Sequence, residues 1–193
     1  MALTRRSVVR GLALSSGFLI DPPRSSLAQS RSEFTQIRQG ADQLMTILNN
    51  QPYVVEGAGA PLYIVMSHTC GFCEALRLEQ PKAIPGVEFR WLPGPYSGGS
   101  RDQLVEVLLR RDVPTFNAYM RRQLAAQPLT SRTGGVDAYN RSVVFLTEYV
   151  KITMANGGTR GTPSMVWVKQ NNVFYSMGYT KELFGQVIRH IKA

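Results

Sequence analysis

The chain has 193 residues, of which 44% are hydrophobic and 18% are charged, and its formal net charge is +9. This length and apolar content are typical of one folded domain and exclude a mainly disordered protein. No run approaches the roughly 20 apolar residues of a membrane span, and two cysteines are too few for a disulfide-rich scaffold or a four-thiolate zinc site.

Residues 1–28 have the pattern of an export signal peptide. A basic segment, Met1–Arg10, is followed by the short apolar stretch Gly11–Ile20 and by small residues at Ser26–Ala28, so we expect cleavage after Ala28. The segment Thr4–Arg10 resembles a twin-arginine signal, and an ordinary secretory leader is the alternative. Either route takes the chain out of the cytoplasm, and we expect a periplasmic protein.

Without residues 1–28 the chain keeps 18 Lys and Arg against 12 Asp and Glu, a net charge of +6. The basic residues are scattered, and the densest groups are the pairs Arg110-Arg111 and Arg121-Arg122. Since no run of five or more Lys or Arg occurs, we expect a solvated basic surface and no nucleic-acid partner.

Two elements are predicted before the first cysteine. Apolar residues recur at spacings of three and four between Ser32 and Asn50 and predict a helix, which with a following linker makes up residues 29–61. The apolar run Leu62–Met66 predicts a buried strand, and with it we expect a domain of residues 62–193 to begin.

The rest of the chain alternates between strand and helix patterns. The prediction is a strand at Val87–Leu92, a helical block over residues 101–156, a hairpin of Ser164–Val168 and Val173–Met177, and a helix at Lys181–Lys192. This order predicts an α/β domain with helices covering both faces of one sheet.

Both cysteines lie in the segment Cys70–Cys73, directly after the strand Leu62–Met66 and before helix-forming residues. Cys70 is therefore expected at a helix N-terminus, where free backbone N–H groups and the helix dipole stabilise a thiolate. Cys73 lies one turn further, within bonding reach. The pattern predicts a redox pair in which Cys70 attacks a disulfide and Cys73 resolves the mixed disulfide.

Three other interpretations of the pair Cys70 and Cys73 remain open. They are a structural disulfide, two unrelated buried thiols, and a copper(I)-binding or metallochaperone module that recruits His68 or Met66. If the pair is redox-active, the disulfide itself serves in place of a cofactor, and we expect no metal. His68, two residues before Cys70, is either a group that lowers the pKa of that thiol or a loop histidine facing solvent.

Gly161-Thr162-Pro163 directly precedes the predicted strand Ser164–Val168, a position where a proline is allowed and an X-Pro bond is sometimes cis. With Cys70–Cys73 upstream, residues 53–193 resemble the catalytic domain of the periplasmic DsbC/DsbG thiol–disulfide isomerase family. The resemblance implies a thioredoxin-like fold with a helical insertion between the CxxC helix and the cis-Pro strand. It also implies that Cys70 is the nucleophile, Cys73 the resolving thiol, and Thr162 and Pro163 the cis-Pro pair lining a peptide groove.

The sequence departs from that family in two ways: residues 29–61 are too few for its N-terminal dimerisation domain, and its second cysteine pair is absent. We therefore expect a monomer or weak dimer, with an isomerase or reductase activity in which the reductase dominates. The partners implied are proteins with disulfides or thiols, and a membrane redox partner that recycles the dithiol.

Overall fold

The computed structural model describes residues 34–80 and 83–193, so the predicted signal peptide lies outside the described residues. This part of the chain contains six strands and six α-helices. The strands are β1 Thr35–Ile37, β2 Val54–Gly57, β3 Gly59–Met66, β4 Gly86–Pro93, β5 Ser164–Lys169 and β6 Asn172–Met177. The helices are α1 Ala41–Asn49, α2 Gly71–Glu79, α3 Arg101–Arg110, α4 Val113–Met120, α5 Gly135–Ala155 and α6 Lys181–Lys192.

The strands form one mixed sheet in the order β1-β6-β5-β3-β4-β2. Strands β3 and β4 are parallel, and the other neighbouring strands are antiparallel. Because β3 and β4 are parallel, the segments that follow Met66 and Pro93 leave the sheet at the same edge. That edge carries the segment Cys70–Cys73.

Alternate side chains of β3 enter two separate hydrophobic cores, because successive residues of a strand point to opposite faces. Leu62, Ile64 and Met66 pack in the core that α2, α3, α4 and α6 cover. Tyr63 and Val65 pack on the other face, beneath α1 and α5. This arrangement confirms the prediction of an α/β domain with helices on both faces of one sheet.

The N-terminal segment differs from the prediction. In place of one helix from Ser32 to Asn50, the structure has β1, which pairs antiparallel with β6, and then α1. Gly40 at the start of α1 has a φ of 74°, a left-handed conformation that separates the two elements and that glycine adopts without strain. The apolar spacing of Phe34 and Ile37 suits a short strand as well as a helix.

The predicted division between residues 29–61 and 62–193 does not match the sheet. Strand β2 within the first range pairs with β4, and β3 begins at Gly59, so both ranges contribute strands to the same sheet. The elements predicted after Cys70 agree with the structure, including the β5–β6 hairpin and α6. Within the described part of the chain, no helix is both long and apolar enough to span a membrane.

Candidate active site

Cys70 stands at the N-terminus of α2, as its sequence position predicts. It caps the helix in an extended conformation, and its carbonyl oxygen accepts hydrogen bonds of 3.1 Å from the backbone N–H groups of Cys73 and Glu74. The chain reaches this point from β3 through a turn that the 3.2 Å hydrogen bond from Cys70 N to the Ser67 carbonyl closes. The half-buried Cys70 side chain therefore lies where the helix dipole favours a negative charge.

Thr162 and Pro163 lie directly opposite Cys70. The Thr162–Pro163 peptide bond is cis, and the Cys70 Sγ donates a hydrogen bond of 3.1 Å to the Thr162 carbonyl oxygen. Pro163 precedes β5, the strand beside β3, and its own carbonyl oxygen accepts a 2.8 Å hydrogen bond from Gly178 N. The sheet thus brings together residues that are 92 positions apart in the chain.

Cys73 is fully buried one turn behind Cys70. It belongs to the core that contains Met66 and Leu76, and the backbone N–H of Ser67 donates to its Sγ at 3.5 Å. Both cysteines are free thiols in this structure. An incoming group can therefore reach the Cys70 sulfur from outside, whereas Cys73 is shielded by the core.

The two thiols also differ in acidity. Burial works against ionisation of Cys70, but hydrogen bonds from the Thr162 side chain and from the Cys73 and Phe72 backbone outweigh it, so the pKa of Cys70 lies below its usual value. Burial raises the pKa of Cys73 to about 12. The thiolate, which is the nucleophile in disulfide exchange, therefore forms more readily on the accessible sulfur than on the buried one.

This difference predicts the pH dependence of alkylation. A thiol reacts with iodoacetamide only as the thiolate, so a lowered pKa moves the midpoint of the reaction to lower pH. We expect Cys70 to be labelled with a midpoint below the ordinary cysteine value of about 8.5, and Cys73 to stay unlabelled up to pH 9 in the folded protein. Mass spectrometry of peptides from protein quenched at each pH measures both. Equal labelling of the two cysteines at neutral pH would contradict the assignment.

His68 is not in the solvent-facing environment that is one of the two predictions for it. The residue is only 5% exposed, and its ring centroid lies 4.3 Å from that of Tyr119, so the prediction of a solvent-facing histidine is wrong. Burial, and to a lesser extent the charge of Arg122, lower the pKa of His68, so the imidazole is neutral at pH 7. The groups that lower the pKa of Cys70 are those described above, and the influence of His68 on that thiol stays a prediction.

The loop after β4 forms a second wall of the site that the sequence analysis missed. Thr69 Oγ1 donates to the Ser97 carbonyl oxygen at 3.5 Å, which joins this loop to the turn before Cys70. Within the loop, burial strongly raises the pKa of the Tyr96 phenol, which therefore stays protonated. The topology could have predicted the position of this loop, because segments that follow neighbouring parallel strands leave the sheet at the same edge.

The described side chains offer few ligands for a metal ion. Among residues 34–80 and 83–193, no group of three or more His, Cys, Asp or Glu side chains is placed to hold one ion. The imidazole of His68 packs against Tyr119, as described above. Cys70 and Cys73 therefore have no third donor of these four residue types grouped with them in the described part of the chain.

The comparison with known proteins identifies the fold of this chain. No protein-family model and no curated protein matches the sequence. The catalytic domain of Proteus mirabilis ScsC is 16% identical and matches with a TM-score of 0.50 over 81% of this chain and 97% of that domain. With the sheet order and the placement of Cys70 and Pro163, this likeness shows a thioredoxin-like fold.

Two further solved structures are similar at lower scores. A periplasmic thioredoxin-like protein from Salmonella enterica serovar Typhimurium is 15% identical, with a TM-score of 0.47 over 79% of this chain and 98% of that one. The thiol–disulfide exchange protein α-DsbA2 from Wolbachia pipientis is 14% identical, with a TM-score of 0.40 over 78% of this chain and 91% of that one.

Proposed function

We propose that this protein is a thiol–disulfide oxidoreductase that acts on the disulfides of other proteins. One observation carries the proposal: the two thiols of Cys70–Cys73 are unequal, with an accessible acidic sulfur at a helix N-terminus and a buried, weakly acidic sulfur behind it. A structural disulfide has no need of a reactive, accessible member. Two unrelated buried thiols do not fit the half-buried position of Cys70 opposite Thr162.

The proposed reduction proceeds in two exchanges. The Cys70 thiolate attacks one sulfur of a substrate disulfide, forms a mixed disulfide, and releases the other substrate sulfur as a thiolate. Cys73 then loses its proton and attacks the Cys70 sulfur, which forms the Cys70–Cys73 disulfide and releases the second substrate thiolate. Two electrons have passed from the pair to the substrate, and the released thiolates take up protons. A dithiol partner then reduces the pair by the same exchange in reverse.

Thr162 and Pro163 are proposed to bind the substrate chain. The Thr162 carbonyl oxygen lies 3.1 Å from the Cys70 sulfur, so an extended peptide whose cysteine reaches that sulfur passes beside the Thr162 backbone. Pairing of such a segment with exposed backbone groups is a common mode of peptide recognition. A substrate segment bound in this way holds its cysteine sulfur next to the accessible Cys70 sulfur.

Within this activity we propose a reductase with weak isomerase activity, related to the DsbC/DsbG enzymes and working in the periplasm after export. The leader pattern of residues 1–28 supports the location. We also propose that the protein is a monomer or weak dimer. A membrane dithiol protein would recycle the pair.

Reduction of insulin by dithiothreitol tests the activity. The wild-type protein should accelerate precipitation of the insulin B chain, and Cys70→Ser should reduce the rate to that of dithiothreitol alone. Metal analysis of the reduced protein runs in parallel. A tightly bound stoichiometric metal ion together with no thiol turnover would overturn the proposal in favour of the copper(I) carrier.

A further inference from the structure

Three arginines near Cys70 have no carboxylate partner among the described residues. Four of the described arginines are paired with glutamates: Arg77 with Glu56, Arg90 with Glu88, and both Arg110 and Arg132 with Glu106. By contrast, no ion pair with a described carboxylate involves the exposed residues Arg121, Arg122 and Arg160, which we call the arginine rim.

Arg121 and Arg122 approach the site from the end of α4. The Nε of Arg122 donates a 3.3 Å hydrogen bond to the carbonyl oxygen of His68, two residues before Cys70. Arg121 lines a groove between α2 and α4, where Glu74 is the acidic residue not already paired. Arg121 therefore shares this groove with Glu74, which lies in the first turn of α2.

Arg160 lies in the loop before the cis proline and lines a surface groove with Pro95, which belongs to the loop after β4. It precedes by two residues Thr162, whose carbonyl oxygen contacts the Cys70 sulfur at 3.1 Å. Phe72, two residues after Cys70, is 65% exposed. Arg122 and Arg160 therefore bring positive charge to the two segments that flank Cys70, the turn at His68 and the loop before Thr162.

We propose that the arginine rim selects protein disulfides flanked by acidic side chains. The inference rests on the proposed function, because it names the substrates of the same Cys70 sulfur. Opposite charges raise the rate of encounter and hold the approaching segment near the nucleophile, and salt screens both effects. An excess of positive charge around the site correspondingly slows the approach of basic segments.

The test compares three disulfide-linked peptide dimers, acetylated and amidated, that differ only at two positions beside the cysteine: Glu, Gln or Lys. Each rate with the reduced protein is divided by the rate of the same dimer with dithiothreitol, which removes differences in leaving-group reactivity. At about 20 mM salt we expect the Glu dimer to react about tenfold faster than the Lys dimer after this normalisation. The ratio should fall towards one at about 0.5 M salt.

Variants of the rim arginines test whether the Glu-to-Lys rate ratio depends on the arginine rim. Arg122→Gln and Arg160→Gln should each lower the Glu-to-Lys ratio about twofold, and together they should remove most of it. Arg122→Lys keeps the charge and should keep the ratio. Lys169→Gln is the matched control: it neutralises a cation at the opposite end of β5 from Pro163 and should leave the ratio unchanged.

The outcomes separate the two proposals. If the Gln dimer is not reduced, the proposed function fails. If the Gln dimer is reduced but the normalised Glu and Lys rates are equal at low salt, the oxidoreductase stands and the selection of acidic segments is wrong. A ratio that persists in the Arg122→Gln/Arg160→Gln double variant also contradicts the role of the rim.

Discussion

Replacing Cys73 with serine should leave substrates attached to Cys70 as long-lived mixed disulfides. Cys70 is the accessible sulfur with the lowered pKa, so it still attacks, but the buried sulfur that would release the substrate is gone. Cys70→Ser should trap few substrates and abolish turnover, because Cys73 is fully buried and its pKa is raised to about 12. Serine cannot replace either thiol in the exchange.

Non-reducing electrophoresis of each variant after expression with its leader measures the adducts, and mass spectrometry identifies them. The double variant Cys70→Ser/Cys73→Ser is the control for non-covalent association and should show no adduct. Equal trapping by both single variants, or trapping through Cys73 alone, would reverse the assignment of nucleophile and resolving thiol.

The second large effect, on the free energy of unfolding, is expected from a buried ion pair between α2 and strand β2 of the sheet. Arg77 of α2 forms hydrogen bonds of 2.6 and 2.9 Å with both carboxylate oxygens of Glu56 on β2, and the two side chains are 5% and 9% exposed. Trp91 Nε1 donates to Glu56 at 2.7 Å, and Asn117 accepts from Arg77 Nε at 2.9 Å. The guanidinium also lies over the rings of Trp91 and Phe116.

Glu56→Ala should lower the free energy of unfolding by about 3–5 kcal/mol, because it leaves a buried guanidinium unpaired. Urea unfolding followed by circular dichroism measures the loss. Glu88→Ala is the matched control, since its pair with Arg90 is 24% and 20% exposed and should contribute about 1 kcal/mol or less. The double variant Glu56→Leu/Arg77→Met should recover part of the loss, because it removes both charges. Equal losses for Glu56→Ala and Glu88→Ala would contradict this account.

The redox segment could be predicted because its signals are local in the sequence. A strand that ends at Met66, two cysteines three residues apart and a run of helix formers place Cys70 at a helix N-terminus without tertiary information. The segment Gly161–Pro163 could be interpreted as part of the site only through the family resemblance. In the structure the Thr162 carbonyl oxygen contacts the Cys70 sulfur. The unequal burial of the two sulfurs follows from the same local geometry, because the second cysteine lies one turn inside α2.

Other features depend on contacts that no local pattern encodes. Strand β1 has three residues and forms because β6 offers an edge, so its apolar spacing alone predicted a helix. The pairing of Glu56 with Arg77 joins residues 21 positions apart through the sheet. The burial of His68 depends on α4, which brings Tyr119 against the imidazole ring. In each case the partner comes from a distant part of the chain.

Redox equilibration of the reduced protein tests most directly whether Cys70 and Cys73 act as one redox pair. The protein is equilibrated in glutathione buffers of defined potential, quenched in acid, alkylated and weighed by mass spectrometry. Both thiols should disappear together in a single two-electron transition. Because we propose a reductase, its potential should lie closer to the roughly −270 mV of thioredoxin than to the roughly −120 mV of a strong oxidant. Accumulation of a glutathione adduct on one cysteine, with no intramolecular disulfide at any potential, would contradict the account.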